Sequence, residues 1–319
     1  MNPLRICISC PASPGSRTGN RITALRWQAI FRGLGHRPTI RTPQDAPSRD
    51  CDLLVALHAR KSADAIRRSK NSKNEIPVVL ALTGTDLYSK KNRGLTDRSI
   101  KTADRIVVLQ SLASRAVPRR YVRKLRTIHQ SIKPLNVTRP STPNQLRVLV
   151  AGHLRDVKDP MRAEQAARRL PPDSKIVVEH FGSILEPKYA KLVKHATKQN
   201  ARYRHYGEIS RWELRRRLAK CWMMVLSSKL EGGANVLSEA IVQHTPVLVS
   251  RIDGSVGLLG ESYEGYYEVG NTKQLRHLLN RCEREPKFYA KLVSQVKKQS
   301  KLFLPKQERQ AWRKLLAEL

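Results

Sequence analysis

The sequence predicts an α/β protein built from two doubly wound, Rossmann-like domains. Three observations predict it. Short apolar runs alternate with amphipathic stretches along most of the chain, the pattern of parallel strands joined by helices. Near the middle, 133–145 holds three prolines and no apolar periodicity, reads as an interdomain linker, and is followed by a restart of the alternation. A chain of 319 residues is long for one hydrophobic core and natural for two. The expected boundaries are 1–135, a linker at 136–145, a second domain over 146–303 and a terminal helix over 304–319.

In the first half, 4–8 reads as a strand, 11–19 as a loop rich in Pro, Gly and Ser, and 20–34 as a helix with Ile22, Leu25, Ala29 and Ile30 on one face. Strands follow at 38–41, 52–58, 77–82, 105–109 and 126–129, with helical stretches between several of them. In the second half, strands fall at 146–151, 175–181, 222–227 and 245–250. Helices fall at 160–170, 187–199, 211–220 and 234–243, then at 272–284, 286–303 and 306–319. Ser210 and Glu213 form a capping-box pattern at one helix start. In such parallel sheets ligands bind beyond the carboxyl ends of the strands, so two successive domains imply a cleft.

Composition narrows the function classes. With 61 Lys+Arg against 26 Asp+Glu the net charge is +35, and both halves share the excess. Such a field draws polyanions, and nucleic acid is the first partner to weigh. Against it, aromatics are only 5% and no recognition motif is present. The field also suits small anionic substrates or an acidic membrane surface. Cys7, Cys10, Cys51, Cys221 and Cys282 are an odd, dispersed set, as in a reduced cytoplasmic protein. There is no secretory h-region and no run long enough to cross a membrane.

Four clusters, each after a predicted strand, can carry chemistry. Gly15, Ser16, Arg17, Thr18, Gly19, Asn20 and Arg21 suit a phosphate-type anion, with the helix N-terminus behind them; the alternative is an ordinary strand-to-helix turn. Thr83, Gly84, Thr85 and Asp86 follow another strand, with Asp86 as a hydroxyl-orienting group or base, or else a turn-capping aspartate. His58 and Arg60 face the same expected cleft edge. Gly152, Arg155 and Lys158 offer a turn, a rigid fork and a point charge for a diphosphate. Glu231, Gly232, Gly233, Ala234, Asn235 and Glu239 combine a Gly-rich turn with a helix N-terminus, an arrangement that fits a sugar nucleotide. No H-E-x-x-H, G-x-S-x-G or Cys–His nucleophile pattern is present, so neither a metal nor another cofactor is expected.

Glu231 and Glu239, with seven residues between them, resemble the E-x7-E motif of the large retaining family of GT-B glycosyltransferases, and the chain is family 4-like. The blocks PGSRTGNR at 14–21, LHARKSA at 57–63, LALTGTDLY at 80–88, GHLR-x-VKDP at 152–160, EGGANVLSEA at 231–240, SRIDGSVGLLG at 250–260 and Ala311-Trp312 follow one another along the chain. Through them it more closely resembles the selenosugar synthases of selenoneine biosynthesis. That resemblance implies transfer of a sugar from UDP-N-acetylglucosamine or UDP-glucose to selenophosphate, with a carbon–selenium bond as product. The first domain would serve the acceptor through Gly15, Ser16, Arg17, Thr18, Asn20, Arg21, His58, Arg60, Thr83, Gly84, Thr85 and Asp86. The second would serve the nucleotide sugar. There Arg155 and Lys158 bind the diphosphate, Glu239 the ribose hydroxyls, and Glu231 with the 232–235 amides the sugar, with Gly152 and Glu208 on the same side. Arg155, Lys158 and Glu231 would carry catalysis.

The same resemblance implies metal independence, a terminal helix crossing back to the first domain, and transient contact with other enzymes of the pathway. A glycosyltransferase of this fold with a glycan or lipid acceptor, and a basic nucleic-acid-binding protein, remain the alternatives. Two positions depart from the pattern. His244 stands where a glycine usually ends the motif helix, and Asp156 replaces a proline between Arg155 and Lys158, placing a negative charge there that loosens the loop.

Overall fold

The computed structural model describes residues 2–16, 18–71, 75–89, 92–138 and 144–319. It divides into two units. The first is Met1–Ser131 with Glu231–Ala234 and Pro305–Leu319; the second is Ile132–Leu230 with Asn235–Leu304.

In the first unit the chain runs β1 (Arg5–Ser9), α1 (Gly19–Gly33), β2 (Arg37–Arg41), β3 (Leu53–Leu57), α2 (Ala63–Asn71), β4 (Val78–Leu82), α3 (Thr85–Tyr88), α4 (Arg93–Thr102), β5 (Arg105–Val108) and β6 (Leu125–Thr127). All strands are parallel, in the order β2-β1-β3-β4-β5-β6. Composition explains the placement. β3 (LLVAL) and β4 (VVLAL) are buried at every position and sit centrally. β2 carries Pro38, which cannot donate to a ladder, and lies at an edge.

Alternate strand residues feed two cores. Leu54, Ala56, Val78, Leu80 and Ile106 pack with Ile66 of α2 and Ile100 of α4. Val55, Leu57, Val79, Ala81 and Val107 pack with Trp27 and Phe31 of α1 and with Trp312 of the final helix, Pro305–Leu316. Trp312 meets Trp27 and Phe31 edge-on, both at 4.8 Å between centroids. The same helix buries Glu308, whose carboxylate accepts from Trp27 Nε1 (2.8 Å), Ser131 N (2.7 Å) and Ser131 Oγ (2.6 Å), with Arg26 Nε 3.5 Å away.

The second unit repeats the design with β7 (Leu146–Ala151), α5 (Arg162–Ala167), β8 (Ile176–Phe181), α6 (Lys188–Gln199), β9 (Tyr203–His205), α7 (Arg211–Lys220), β10 (Met223–Leu226), α8 (Asn235–Val242), β11 (Val247–Ser250), α9 (Asp253–Leu259), β12 (Tyr266–Tyr267), α10 (Thr272–Arg284) and α11 (Pro286–Ser300). Its parallel order is β12-β11-β10-β7-β8-β9.

Several short elements went unread in the sequence. The edge strands β9 and β12 are too short and polar to register as apolar runs. The segment 251–260, for which no strand or helix was predicted, contains the helix α9, with Gly254 and Ser255 buried in it. His244 takes φ 53° just past α8, the left-handed turn for which a glycine was expected.

Candidate functional site

In the first unit His58, Arg60 and residues 83–86 come together beyond the carboxyl ends of β3 and β4. Asp86 is fully buried, and its carboxylate accepts from Ala59 N (2.8 Å), Thr83 N (3.0 Å) and Gly84 N (2.8 Å). It therefore pins two loops together and has no exposed oxygen to offer a substrate, as the turn-capping alternative supposed. His58 closes β3 with φ 71°. Its Nδ1 accepts from Lys61 N (3.3 Å), so the proton sits on Nε2, which donates to Thr85 Oγ1 (3.2 Å). Burial lowers the affinity of this imidazole for a second proton, the nearby Asp86 opposing it. Arg60 Nη2 donates to the Thr85 carbonyl at 2.5 Å.

The Gly-rich turn 231–234 packs on this corner, within the same unit. A Cβ on Gly232 would lie 2.4 Å from the Thr83 carbonyl carbon, and one on Gly233 would lie 2.6 Å from Leu109 Cβ. Gly84, at φ 133°, faces Gly232 N in the same way, at 2.7 Å. The room that the two turn glycines leave is thus taken by the protein's own backbone at Gly232, and by Leu109 at Gly233.

At the start of α1, Gly15 takes φ 81°, and Ser16 Oγ and Thr18 Oγ1 lie 3.2 Å apart. Thr18 is the N-cap residue, yet its side chain makes no capping bond to the helix. Gly19 and Asn20 open the helix, and Arg21 lies beside the buried Cys10 thiol, whose pKa burial raises. Arg17 lies outside the described residues.

The second unit holds the other cluster. Gly152 follows β7, and its carbonyl is approached so closely by Gly182 that a Cβ there would fall 2.1 Å from it. The buried His180 fixes the same carbonyl. Its Nε2 donates to Gly152 O (3.1 Å), while Nδ1 accepts from Tyr203 Oη (3.0 Å). Burial pushes the His180 pKa down to about 4, so it stays neutral.

Arg155 is exposed and Lys158 half-buried, at either end of a short 3₁₀ turn. His153 Nδ1 accepts from Ser183 N (3.1 Å), and burial lowers this ring's pKa as well. Glu208 accepts from the Ser183 hydroxyl. Asp156 does not loosen the loop. Its carboxylate pairs with Lys188 and accepts from Tyr189 Oη (2.7 Å), and Lys188 holds it below the usual carboxylate range.

Glu239 sits in the second turn of α8 and is 4% exposed. Arg211 grips only its Oε1, from Nε (3.1 Å) and Nη2 (2.9 Å); among the described residues no group donates to Oε2. Ser210 caps α7, accepting from Glu213 N (3.1 Å), and so aims Arg211 at that carboxylate. Arg215 adds a second positive charge near Glu239, and burial lowers its own pKa. Glu213 turns to Arg217 at 2.8 Å, so only half of the predicted capping box forms.

The sequence did not point to Arg211 or His180, and gave His153 no role of its own beside Gly152. A capping serine one residue before Arg211 was the one visible signal. Among the described residues no three His, Cys, Asp or Glu side chains converge as a metal site, and no helix is long and apolar enough to cross a membrane.

Residues 137–299, just over half of the chain, match the family model "Glycosyl transferases group 1". The chain belongs to the group 1 glycosyl transferases. The matched region carries Gly152, Arg155, Lys158, Glu208, Glu231 and Glu239. Among curated relatives, Glycosyltransferase 1 domain-containing protein 1 of Xenopus tropicalis is 22% identical over 311 residues, covering 89% of each chain.

Solved structures place this group 1 glycosyl transferase in the GT-B fold. Anabaena HepE in complex with UDP-glucose superposes with a TM-score of 0.78 at 16% identity, over 99% of this chain and 100% of that one. Sucrose-phosphate synthase of Thermosynechococcus elongatus gives 0.78 at 13% identity, over 100% of both.

Proposed function

We propose that the protein transfers a sugar from UDP-N-acetylglucosamine or UDP-glucose to selenophosphate, forming a carbon–selenium bond. The observation that carries the donor half is the setting of Glu239: buried, paired with Arg211 through one oxygen, with the other left for a hydroxyl pair. HepE, of similar fold, was solved with UDP-glucose, which supports the same donor class here. The acceptor half rests on the resemblance of the blocks at 14–21, 57–63 and 80–88 to selenosugar synthases.

In this reading the segment 146–303 serves the donor. Arg155 and Lys158 take the diphosphate, Glu239 the ribose, and Glu231 with the amides of 232–235 the sugar. Gly152 and Glu208 line the same side. Residues 1–135 serve the acceptor: Arg21, Arg60, Ser16 and Thr18 take the phosphate oxygens, and Asp86 acts through the loops it pins. Selenophosphate selenium is already anionic and nucleophilic near neutral pH, so the reaction needs no strong general base. Its lone pair forms the bond to sugar C1 as the C1–O bond breaks, and that electron pair leaves on UDP. Arg155, Lys158 and the N-terminus of α8 stabilise the departing charge, where loss of one such group costs roughly 10²–10³ in kcat. No resident cofactor or metal is required.

Incubation with each UDP-sugar and selenophosphate, followed by mass spectrometry, tests the reading. A sugar carrying selenium is the expected product. UDP release without a selenium product would move the acceptor to a glycan or lipid, and no UDP release with any pair would reject the reading.

A further inference from the structure

A groove of about 360 Å³ runs beside α7 in the second unit, lined in part by Arg147, Glu179, Trp212, Glu213, Arg216 and Lys220. The proposed reaction uses none of these residues. Trp212 is 62% exposed, an unusual state for the largest side chain, and the Arg216 guanidinium lies 4.5 Å from its ring centroid. Tyr206 does not line the groove but borders it through Arg217, which does: it is 42% exposed and stacks on Phe181 at 5.0 Å and 10°, with Arg217 over both rings at 5.6 and 5.1 Å. Arg217 is paired with Glu213, and Arg147 lies 3.9 Å from Glu179. Among the described residues no carboxylate pairs with Arg216 or Lys220.

Exposed aromatic rings backed by guanidinium groups, along a recess edged by unpaired cations, are the parts of a stacking platform and a phosphate track. We propose that this groove binds single-stranded nucleic acid without base specificity. Bases stack on Trp212 and Tyr206, since every base has a π-face, and phosphates follow Arg216 and Lys220. From Trp212 to Lys220 the helix rises about 12 Å, long enough for more than one nucleotide. A polymer fits better than a free nucleotide because the whole chain carries +35. A bilayer fits worse, because the feature is concave.

The test is fluorescence anisotropy of a labelled oligouridylate of roughly 12 nucleotides at about 0.15 M salt, where diffuse surface charge is largely screened. Trp212→Ala, which changes no charge, is expected to weaken binding about tenfold. It should also abolish quenching of tryptophan emission, because Trp27 and Trp312 are buried and Trp222 stacks on Tyr289. The double variant Arg216→Ala, Lys220→Ala is expected to flatten the log–log salt slope by about 1.4. The control, Arg119→Ala with Arg120→Ala on an exposed turn of the first unit, removes equal charge elsewhere and should do less. Wild-type affinity in Trp212→Ala, equal losses in both double variants, no oligonucleotide binding, or Trp212-dependent binding to phosphatidylglycerol vesicles in its place would each overturn the proposal.

Discussion

Glu239 shows how a single side chain is prepared for its task. A carboxylate this buried keeps its charge only if that charge is compensated, and Arg211 supplies two charge-assisted hydrogen bonds to one oxygen. Removing Arg211 takes both of these hydrogen bonds from a buried carboxylate, leaving only the charge of Arg215 nearby, and releases the orientation of Oε2. Arg211→Ala and Glu239→Gln should each raise the KM for the UDP-sugar by about 10–100-fold, the range of one charged hydrogen bond, with a smaller effect on the KM for selenophosphate. Steady-state kinetics with both substrates varied separates the two. Equal losses for donor and acceptor would remove Glu239 from the donor site. At this scale the sequence displayed Glu239 through its spacing from Glu231, but Arg211 has no such mark. Its partner is 28 positions away, and only the fold brings them together. Asp86 was visible as a turn residue, and its bonds from Thr83 N and Gly84 N are local, but the third, from Ala59 N, spans 27 positions and no local pattern encodes it.

At the scale of elements, the glycines of the turn 231–234 are fixed by the chain they touch. Gly232→Ala would drive a methyl into the Thr83 backbone, which cannot move aside as a flexible side chain would. We expect loss of activity together with increased hydrogen exchange at 82–86. Unchanged exchange at those amides would show that the turn is free of this corner. The final helix is held by Trp312 and Glu308. Trp312→Ala should cost about 3–5 kcal/mol, read as a lowered urea midpoint for the first unit. The strands of high apolar content, such as 53–57 and 78–82, were plain in the sequence because both of their faces are buried. The edge strands β9 and β12 and the helix α9 were not, since two or three residues, or a Gly-rich turn of helix, leave no period to read.

Across the whole molecule, burial leaves His36, His58, His129, His153 and His180 all less ready to take a second proton than free histidine. For His180 the change is from 6.5 in the open chain to about 4 when folded. Between those values the unfolded chain binds more protons, so the stabilisation is complete above pH 6.5 and is lost as the pH falls toward 4. For His180 alone the loss approaches about 3 kcal/mol. Urea midpoints measured from pH 7 to pH 4 should fall, and His180→Phe should flatten that fall while lowering the midpoint at pH 7. The two α/β units were legible from alternation and from the Pro-rich stretch at 133–145. The charge of +35 was equally plain, but composition alone did not place its aromatic partners along α7.

The most direct measurement is of stoichiometry. With UDP-N-acetylglucosamine or UDP-glucose in excess, selenophosphate is added in limiting amounts, and UDP and sugar-bound selenium are quantified together. One UDP released per selenium bound to sugar, with none released before selenophosphate is added and little in Glu239→Gln, is the expected result. UDP release that is indifferent to selenophosphate, or its absence with both donors, would contradict the proposed transfer.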